Sequence, residues 1–332
     1  LEFIITDNQG REEGYLLHDG IDIDIGFDND FEIEIPLRHY DEKIHNENCR
    51  FFYPGTEYGG IIKIIEPVAS MDILRLGGSV WRGMLEHVAL EPKLGDDYRY
   101  LNGEANAQIG LLISELGLSD LFVASNEDSG MTFDKYRVPL QSMLQSSLVT
   151  ALETLGGRLD ISYQEGESNG IGYVLVSAVP VVDYSESVEF SQDGNVNVDL
   201  MNYKNGVNHL ICLGKGELSA RTRVDLYAWP DGSIQKTPYY TGIDKIDDYY
   251  EYSSAEDATV LEEYGRKRLQ EEMNYMEMNE SVGSIEYLEI GDIVSGRERF
   301  TGMKIKSPVV QKIVQVDGRG VTKVMPKLKG EY

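Results

Sequence analysis

The chain has 332 residues, 41% apolar and 10% aromatic, enough to build two or more domains with substantial cores, which excludes a disordered polymer. Fifty-seven acidic against thirty basic residues give a formal charge of -27, so long-range attraction to nucleic acid or to an anionic membrane is excluded as a mode of binding. No run of 18 apolar residues occurs, and Leu1 to Gly10 lack a charged segment followed by a long apolar one. Neither a membrane span nor a signal peptide is expected, and synthesis in a cytoplasm is. Cys49 and Cys212, the two cysteines, fit reduced structural thiols better than a disulfide framework. The charge is uneven: Leu1 to Asn48 holds 14 acidic and 3 basic residues, Arg297 to Tyr332 holds 3 acidic and 9 basic. These ends are complementary and could pair within a subunit, between subunits, or not at all.

In chain order, the first hundred residues read as strands. Ile21, Ile23, Ile25 and Phe27 alternate with Asp22, Asp24, Gly26 and Asp28; Phe31, Ile33 and Ile35 alternate with Glu32 and Glu34; Asp28-Asn29-Asp30 turns between them. This is a hairpin with one wet face. A calcium loop would need a bidentate Glu in register, and none is there. Gly59 to Pro67 and Ile73 to Gly78 are further strands, and Ser79 to Pro92 suits strand and short helix equally.

The character changes near Leu101. Asn102 to Asn106 resembles a helix start, after which Ile109, Leu112, Ile113 and Leu116 recur at helical spacing until Gly117. A second helix is predicted from Pro139, with Leu140, Met143, Leu144, Leu148, Ala151, Leu152 and Leu155 on one face and Gly156-Gly157 ending it. Strands Arg158 to Tyr163 and Tyr173 to Val182 complete a small α/β domain. Strand character resumes from Val188, with an Asp193-Gly194 turn.

The stretch from Asn205 to Ser233 is a strand pair. Val207, His209, Ile211 and Leu213 share one face, Gly214-Lys215-Gly216 relieves the backbone, and Val224 to Trp229 alternates before Pro230-Asp231-Gly232 turns the chain. A tyrosine-rich acidic stretch, Asp244 to Tyr252, leads to a third helix from Ala255 to about Met276, its stripe formed by Leu261, Tyr264, Leu269 and Met273. Ile285 to Val294 reads as a strand broken by a Gly291-Asp292 turn, and Val309 to Val316 joins Val321 to Met325 through Asp317-Gly318-Arg319-Gly320. No internal repeat is visible.

The run Val207-Asn208-His209-Leu210-Ile211-Cys212-Leu213-Gly214-Lys215-Gly216-Glu217-Leu218 with Arg221 resembles the signature of the hub proteins of long-tailed bacteriophage and prophage tails. That family is related in fold to the N-terminal part of tail-associated lysins and to baseplate hubs of contractile tails. Trp81-Arg82-Gly83 with the Glu91-Pro92 pair, and Gly291-Asp292-Ile293-Val294 with the closing hairpin, are similar to the family as well, so the resemblance spans 205–233, 79–106 and 285–325. It implies an α+β, mainly β fold with two tail-tube-like β-barrel domains and two smaller α/β insert or peripheral domains. The corresponding division is 1–100, a first barrel; 101–187, a peripheral α/β domain; 188–243 with 285–332, a second barrel; and 244–284, a helical insert. It further implies a homotrimeric ring at the distal tip of a virion tail, assembled in the host bacterium, meeting a distal tail protein and fibre or tip proteins, with DNA passing through the lumen without specific binding. The net charge does not argue against such a conduit, because a wall of like charge keeps a passing polyanion from sticking; simple solubility is the alternative account of the acidity.

Chemistry leaves little trace. His18, His39, His45, His87 and His209 form no His-Glu-x-x-His pair, and His45 with Cys49 is the sole close nitrogen and sulfur pair. Gly214-Lys215-Gly216-Glu217 lacks the spacer and hydroxyl of a phosphate loop, Gly156-Gly157 and Gly170-Ile171-Gly172 lack the third glycine of a dinucleotide fingerprint, and no Gly-x-Ser-x-Gly elbow exists. No catalytic, cofactor-binding or metal-binding residue is therefore assigned, and no enzymatic activity or cofactor is expected. Tail-associated lysins carry their hydrolase in an added C-terminal domain, for which no room is expected after Tyr332. The alternative is a receptor- or carbohydrate-binding or degrading tip protein using acidic, tyrosine-rich loops around Tyr239, Tyr240, Tyr249, Tyr250 and Tyr252.

Overall fold

A computed structural model describes residues 1–166, 170–187, 189–191, 197–230, 232–255, 257–273, 275–281 and 287–328. Strands β1 (Ile4–Thr6), β2 (Glu12–Tyr15), β3 (Gly20–Ile25), β4 (Asp30–Pro36), β5 (Arg50–Phe52), β6 (Gly59–Val68) and β7 (Ile73–Val80) precede helix α1 (Trp81–Glu86). Then come β8 (Tyr100–Glu104), α2 (Ala105–Glu115), β9 (Phe122–Ala124), β10 (Thr132–Arg137), α3 (Leu144–Glu153), β11 (Gly157–Gln164) and β12 (Tyr173–Pro180). Strands β13 (Glu189–Ser191), β14 (Asn197–Tyr203), β15 (His209–Leu213), β16 (Arg223–Ala228), β17 (Ile234–Gln235) and β18 (Asp247–Glu251) lead to α4 (Ala258–Glu272), and β19 (Tyr275–Ser281), β20 (Ile293–Arg297), β21 (Lys304–Asp317) and β22 (Thr322–Leu328) follow. The fold is mainly β, with a curled sheet of eleven strands.

The chain divides into two compact units, one of residues 1–197, 281–296 and 306–328, the other of 198–280 and 297–305. In the first, the large sheet runs β13-β20-β21-β3-β4-β7-β6-β5-β1-β2, with β22 beside β21. One face is a core of Ile23, Ile25, Ile33, Ile35, Phe51, Leu76 and Val314, all fully buried; each such side chain stabilises by roughly 1.5 to 3 kcal/mol. The hairpin expected between Ile21 and Ile35 forms, with Ile21 opposite Ile33. Residues 306–328, assigned by sequence to a domain continuing from residue 188, pair through β21 with β3, Val314 opposite Ile23 and Val316 opposite Ile21. The acidic and basic ends of the chain thus supply neighbouring strands of one sheet. A second core in this unit joins Trp81, Leu85, Ile109, Leu112, Leu148 and Leu152 of the three helices to Leu159, Ile161, Val174 and Val176 of the sheet β11-β12-β9.

Several elements differ from the sequence reading. Ser79 to Pro92 resolves into the end of β7 and the short α1, and α3 starts at Leu144, not Pro139. Val88 and Leu90 are the reason for the latter: Leu144 N donates to Val88 O (2.8 Å) and Leu90 N to Ser142 O (2.9 Å), which holds 139–143 out of the helix. The α4 helix is trimmed at both ends, starting after Asp257, whose carboxylate accepts from Thr259 N and Val260 N. Residues 287–290 are not a strand, and β20 begins only at Ile293; residues 282–286, the Asp193-Gly194 turn and Asp231 lie outside the described residues.

In the second unit the sheet β17-β16-β15-β18 packs one face on α4 through Leu210, Cys212, Leu226, Leu261 and Leu269. A Cβ on Gly265 would stand 2.4 Å from Cys212 Sγ, so only glycine lets the helix lie this close. The acidic tyrosine stretch is not a loop: 247–251 is β18, paired in parallel with β15.

Candidate functional site

Period-two alternation decides the two faces of the large sheet. Burial of Ile21, Ile23 and Ile25 and of Phe31, Ile33 and Ile35 sends Asp22, Asp24, Asp30, Glu32 and Glu34 to the opposite face, where Asp22, Asp30 and Glu32 are exposed. The register sets Asp22 directly opposite Glu32. On one flank Arg75 of β7 lies 3.3 Å from Glu34, 3.8 Å from Glu32 and 4.0 Å from Glu66 of β6. On the other, β21 offers amides: Gln315 Nε2 donates to Asp22 (2.8 Å) and Gln311 Nε2 to Asp24. Among the described residues Arg75 is the only cation at ion-pair distance from this band. Like charges directly opposed across strands cost roughly 0.2 to 1 kcal/mol each. The field is felt at Asp30, whose carboxyl is pushed up by partial burial and by Asp28, Asp24 and Asp22.

The Trp81-Arg82-Gly83 run is built into the core of the same unit. Trp81 stacks on Tyr163 (5.2 Å) and Tyr163 on Phe52 (4.0 Å). The Arg82 guanidinium donates twice to Glu57 (2.8 and 2.9 Å) and once to Leu159 O (3.2 Å), all buried. A Cβ on Gly83 would meet Asn29 O at 2.5 Å. The Gly291-Asp292 turn is clamped by Arg158 Nε and Val182 N, which donate to Asp292 Oδ1, and by Glu289 N, which donates to Oδ2. Buried Lys312 donates to Glu289 (2.8 Å) and lies 5.1 Å from the Tyr58 ring centre. These motif residues hold backbone in place and expose no reactive atom.

The signature strands of the second unit are likewise structural. His209 does lie on the face of Ile211 and Leu213, yet α4 covers the other face, because β15 is apolar on both sides. The buried imidazole is stacked on Tyr227 (4.4 Å, 3°) and held between two carboxylates, Asp225 Oδ1 at Nε2 (2.9 Å) and Asp247 Oδ1 at Nδ1. Both contacts are donated hydrogen bonds only when both ring nitrogens carry protons. Arg223 donates twice to Asp225, and Lys245 pairs with Asp247 (2.7 Å). The Asp225 carboxyl is held low, first by Arg223, and that of Asp247, first by Lys245. Arg223, Asp225, His209, Asp247 and Lys245 thus form one chain of polar contacts across three strands, a register clip.

The remaining candidates do not converge. His45 Nδ1 accepts from Asp41 N (3.0 Å) and Cys49 Sγ donates to Lys43 O (3.5 Å), so each has a local partner. Both cysteines are buried and free. Among the described residues no group of His, Cys, Asp and Glu is arranged to hold a metal ion. The five tyrosines separate: Tyr239 and Tyr240 gather near Trp229, Tyr250 and Tyr252 pack toward Tyr264 of α4, and Tyr249 is exposed alone on β18. The acidic band was visible in sequence as a wet face; its signal as a site is that two successive strands carry carboxylates at nearly every outward position.

No protein-family model matches the sequence, and no curated protein matches it. Solved structures do match its fold. The 43 kDa tail protein of prophage MuSo2 from Shewanella oneidensis superposes with a TM-score of 0.58 at 12% identity, covering 99% of this chain and 98% of that one. The tail protein from Neisseria meningitidis MC58 gives 0.54 at 13% identity, covering 100% and 97%. Prophage tail protein gp18 from Listeria monocytogenes EGD-e gives 0.51 at 12% identity, covering 99% and 94%. The fold implied by the resemblance in 79–106, 205–233 and 285–325 is therefore the fold of prophage tail proteins.

Proposed function

We propose that this chain is a non-enzymatic structural hub at the distal end of a phage-type tail. Three copies close a ring that continues the tail tube and meets neighbouring tail proteins, and the Asp22/Asp24/Asp30/Glu32/Glu34 face lines the bore through which DNA passes. The observation that carries the reading is this band, like charges set side by side on a sheet that a prophage tail fold presents to water. A stability optimum would interleave lysines there; a bore for a polyanion is better served by uniform negative charge, which supplies no sticking point.

Light scattering with electron microscopy of the purified protein tests the assembly. Three chains of 37.3 kDa give about 112 kDa and ring-shaped particles with an open axis; a two-fold dimer without a channel would rule the ring out. Particles carrying Asp22→Lys, Glu32→Lys and Glu34→Lys should assemble and deliver DNA more slowly, whereas unaltered delivery would remove the band from the bore.

A further inference from the structure

We propose that the open edge of β9 is a docking groove for an extended segment of a second protein, bearing lysine or arginine, which adds as a fourth strand to the β11-β12-β9 sheet. Among the described residues β9 pairs with β12 alone. Leu121 O accepts from Val174 N (2.8 Å) and Ser125 N donates to Val176 O (3.0 Å), in parallel register with Phe122 opposite Val174 and Ala124 opposite Val176. Positions 121, 123 and 125 therefore serve β12, and the backbone groups of 122 and 124 turn the other way. Phe122 N donates to Leu118 O (3.0 Å), which leaves the Phe122 carbonyl and both backbone groups of Ala124 facing outward.

A cavity of about 600 Å³ follows this edge, between α2 and residues 125–128. Its lining is small where a backbone would lie: Ala107 and Gly110 of α2 and Ala124, with a Cβ on Gly110 already 3.4 Å from that of Ala124. At its mouth Glu127 and Asp128 are exposed and make no ion pair with described residues. Glu104, the third carboxylate, is engaged: it accepts from Asn106 N, Ala107 N and Ser129, capping α2. Strand addition supplies affinity through main-chain hydrogen bonds, and the unpaired acids select a cationic side chain. The lysines of this chain's own closing strands, Lys312, Lys323 and Lys327, lie in β21 and β22, which already pair with each other, so the occupant is a segment of another protein.

Fluorescence anisotropy of the full chain with a labelled Thr-Lys-Val-Thr-Lys-Val peptide, and with its Glu-for-Lys counterpart, tests this without reference to ring assembly. The lysine peptide should bind about tenfold more tightly than the glutamate one, and the Ala124 amide should gain protection from hydrogen exchange. Glu127→Gln with Asp128→Asn should erase the preference, and Ala107→Trp, an exposed helix position, should block the groove with the melting temperature unchanged. No binding, binding indifferent to both variants, or binding without protection at Ala124 would overturn the proposal. Loss of self-association in the Ala107→Trp chain would overturn it in favour of a second copy, and the peptide-binding and exchange results do not bear on the hub reading.

Discussion

Two sheets in this molecule solve the same problem in opposite ways. Each buries one face and leaves another to water. In the second unit the carboxylates beside His209 are compensated: Asp225 by Arg223 and the imidazole, Asp247 by Lys245 and the imidazole. On the large sheet, Asp22 faces Glu32 with amides on one side and only Arg75 on the other. The same alphabet of residues was available to both. The difference teaches that the carboxylates beside His209 each have a basic partner, whereas the register of the large sheet sets like charges opposite one another at a small, repeated cost in stability.

The comparison breaks first at His209. His209→Ala strips a partner from two carboxylates and a ring from Tyr227, and should destabilise the second unit by about 1 to 3 kcal/mol. The chain's two tryptophans make this measurable, Trp81 belonging to the first unit and Trp229 to the second. A Trp81→Phe background reports the second unit by denaturant titration, and an unchanged midpoint there would show that the clip contributes nothing. The opposite sign is expected on the large sheet. Asp22→Asn with Glu32→Gln should stabilise the first unit by up to about 1 kcal/mol, read from Trp81 in a Trp229→Phe background; a loss would mean that these carboxylates are compensated after all.

The smallest effect is in pH. Asp225 and Asp247 have lowered folded values, so the stability they confer is present above the unfolded carboxylate value near ~3.9 and is lost as pH falls below it. Asp30 has a raised folded value: the folded state holds its proton more tightly, so its own contribution rises as pH falls from neutrality toward that same unfolded value, against the opposite contributions of Glu104 and Asp183 in the same unit, whose folded values are lowered to about 2. Between about pH 6 and pH 3, Asp225→Asn with Asp247→Asn should flatten the loss read from Trp229, and Asp30→Asn should steepen the loss read from Trp81; unchanged slopes in both would remove the electrostatic contrast.

Local pattern carried much of this architecture. The Ile21–Ile35 hairpin, helix α2 and strands β11 and β12 were legible because each is decided within a few residues by period and turn chemistry. What was hidden depends on distant partners. Asp247–Glu251 reads as a polar loop, and becomes a strand because β15, nearly forty residues earlier, offers a parallel edge. Leu144 starts α3 because Val88 takes the preceding turn's hydrogen bond. His209 shares a face with apolar neighbours as its spacing says, but no spacing could place α4 on the opposite face. The candidate site was half legible: alternation showed the wet face, and the register showed that its charges oppose one another.

The pairing of β3 with β21 also has a meaning for how the protein is made. Ile25 lies opposite Lys312, so β3 emerges from a ribosome long before its partner exists. At roughly 5 to 20 residues per second the wait is on the order of 15 to 60 s. Throughout it, an isoleucine-rich hairpin presents an unpaired backbone edge to every nascent chain nearby. Its outward row of aspartates and glutamates then acts as a guard against edge-to-edge association, keeping neighbouring polypeptides apart until the final strands arrive.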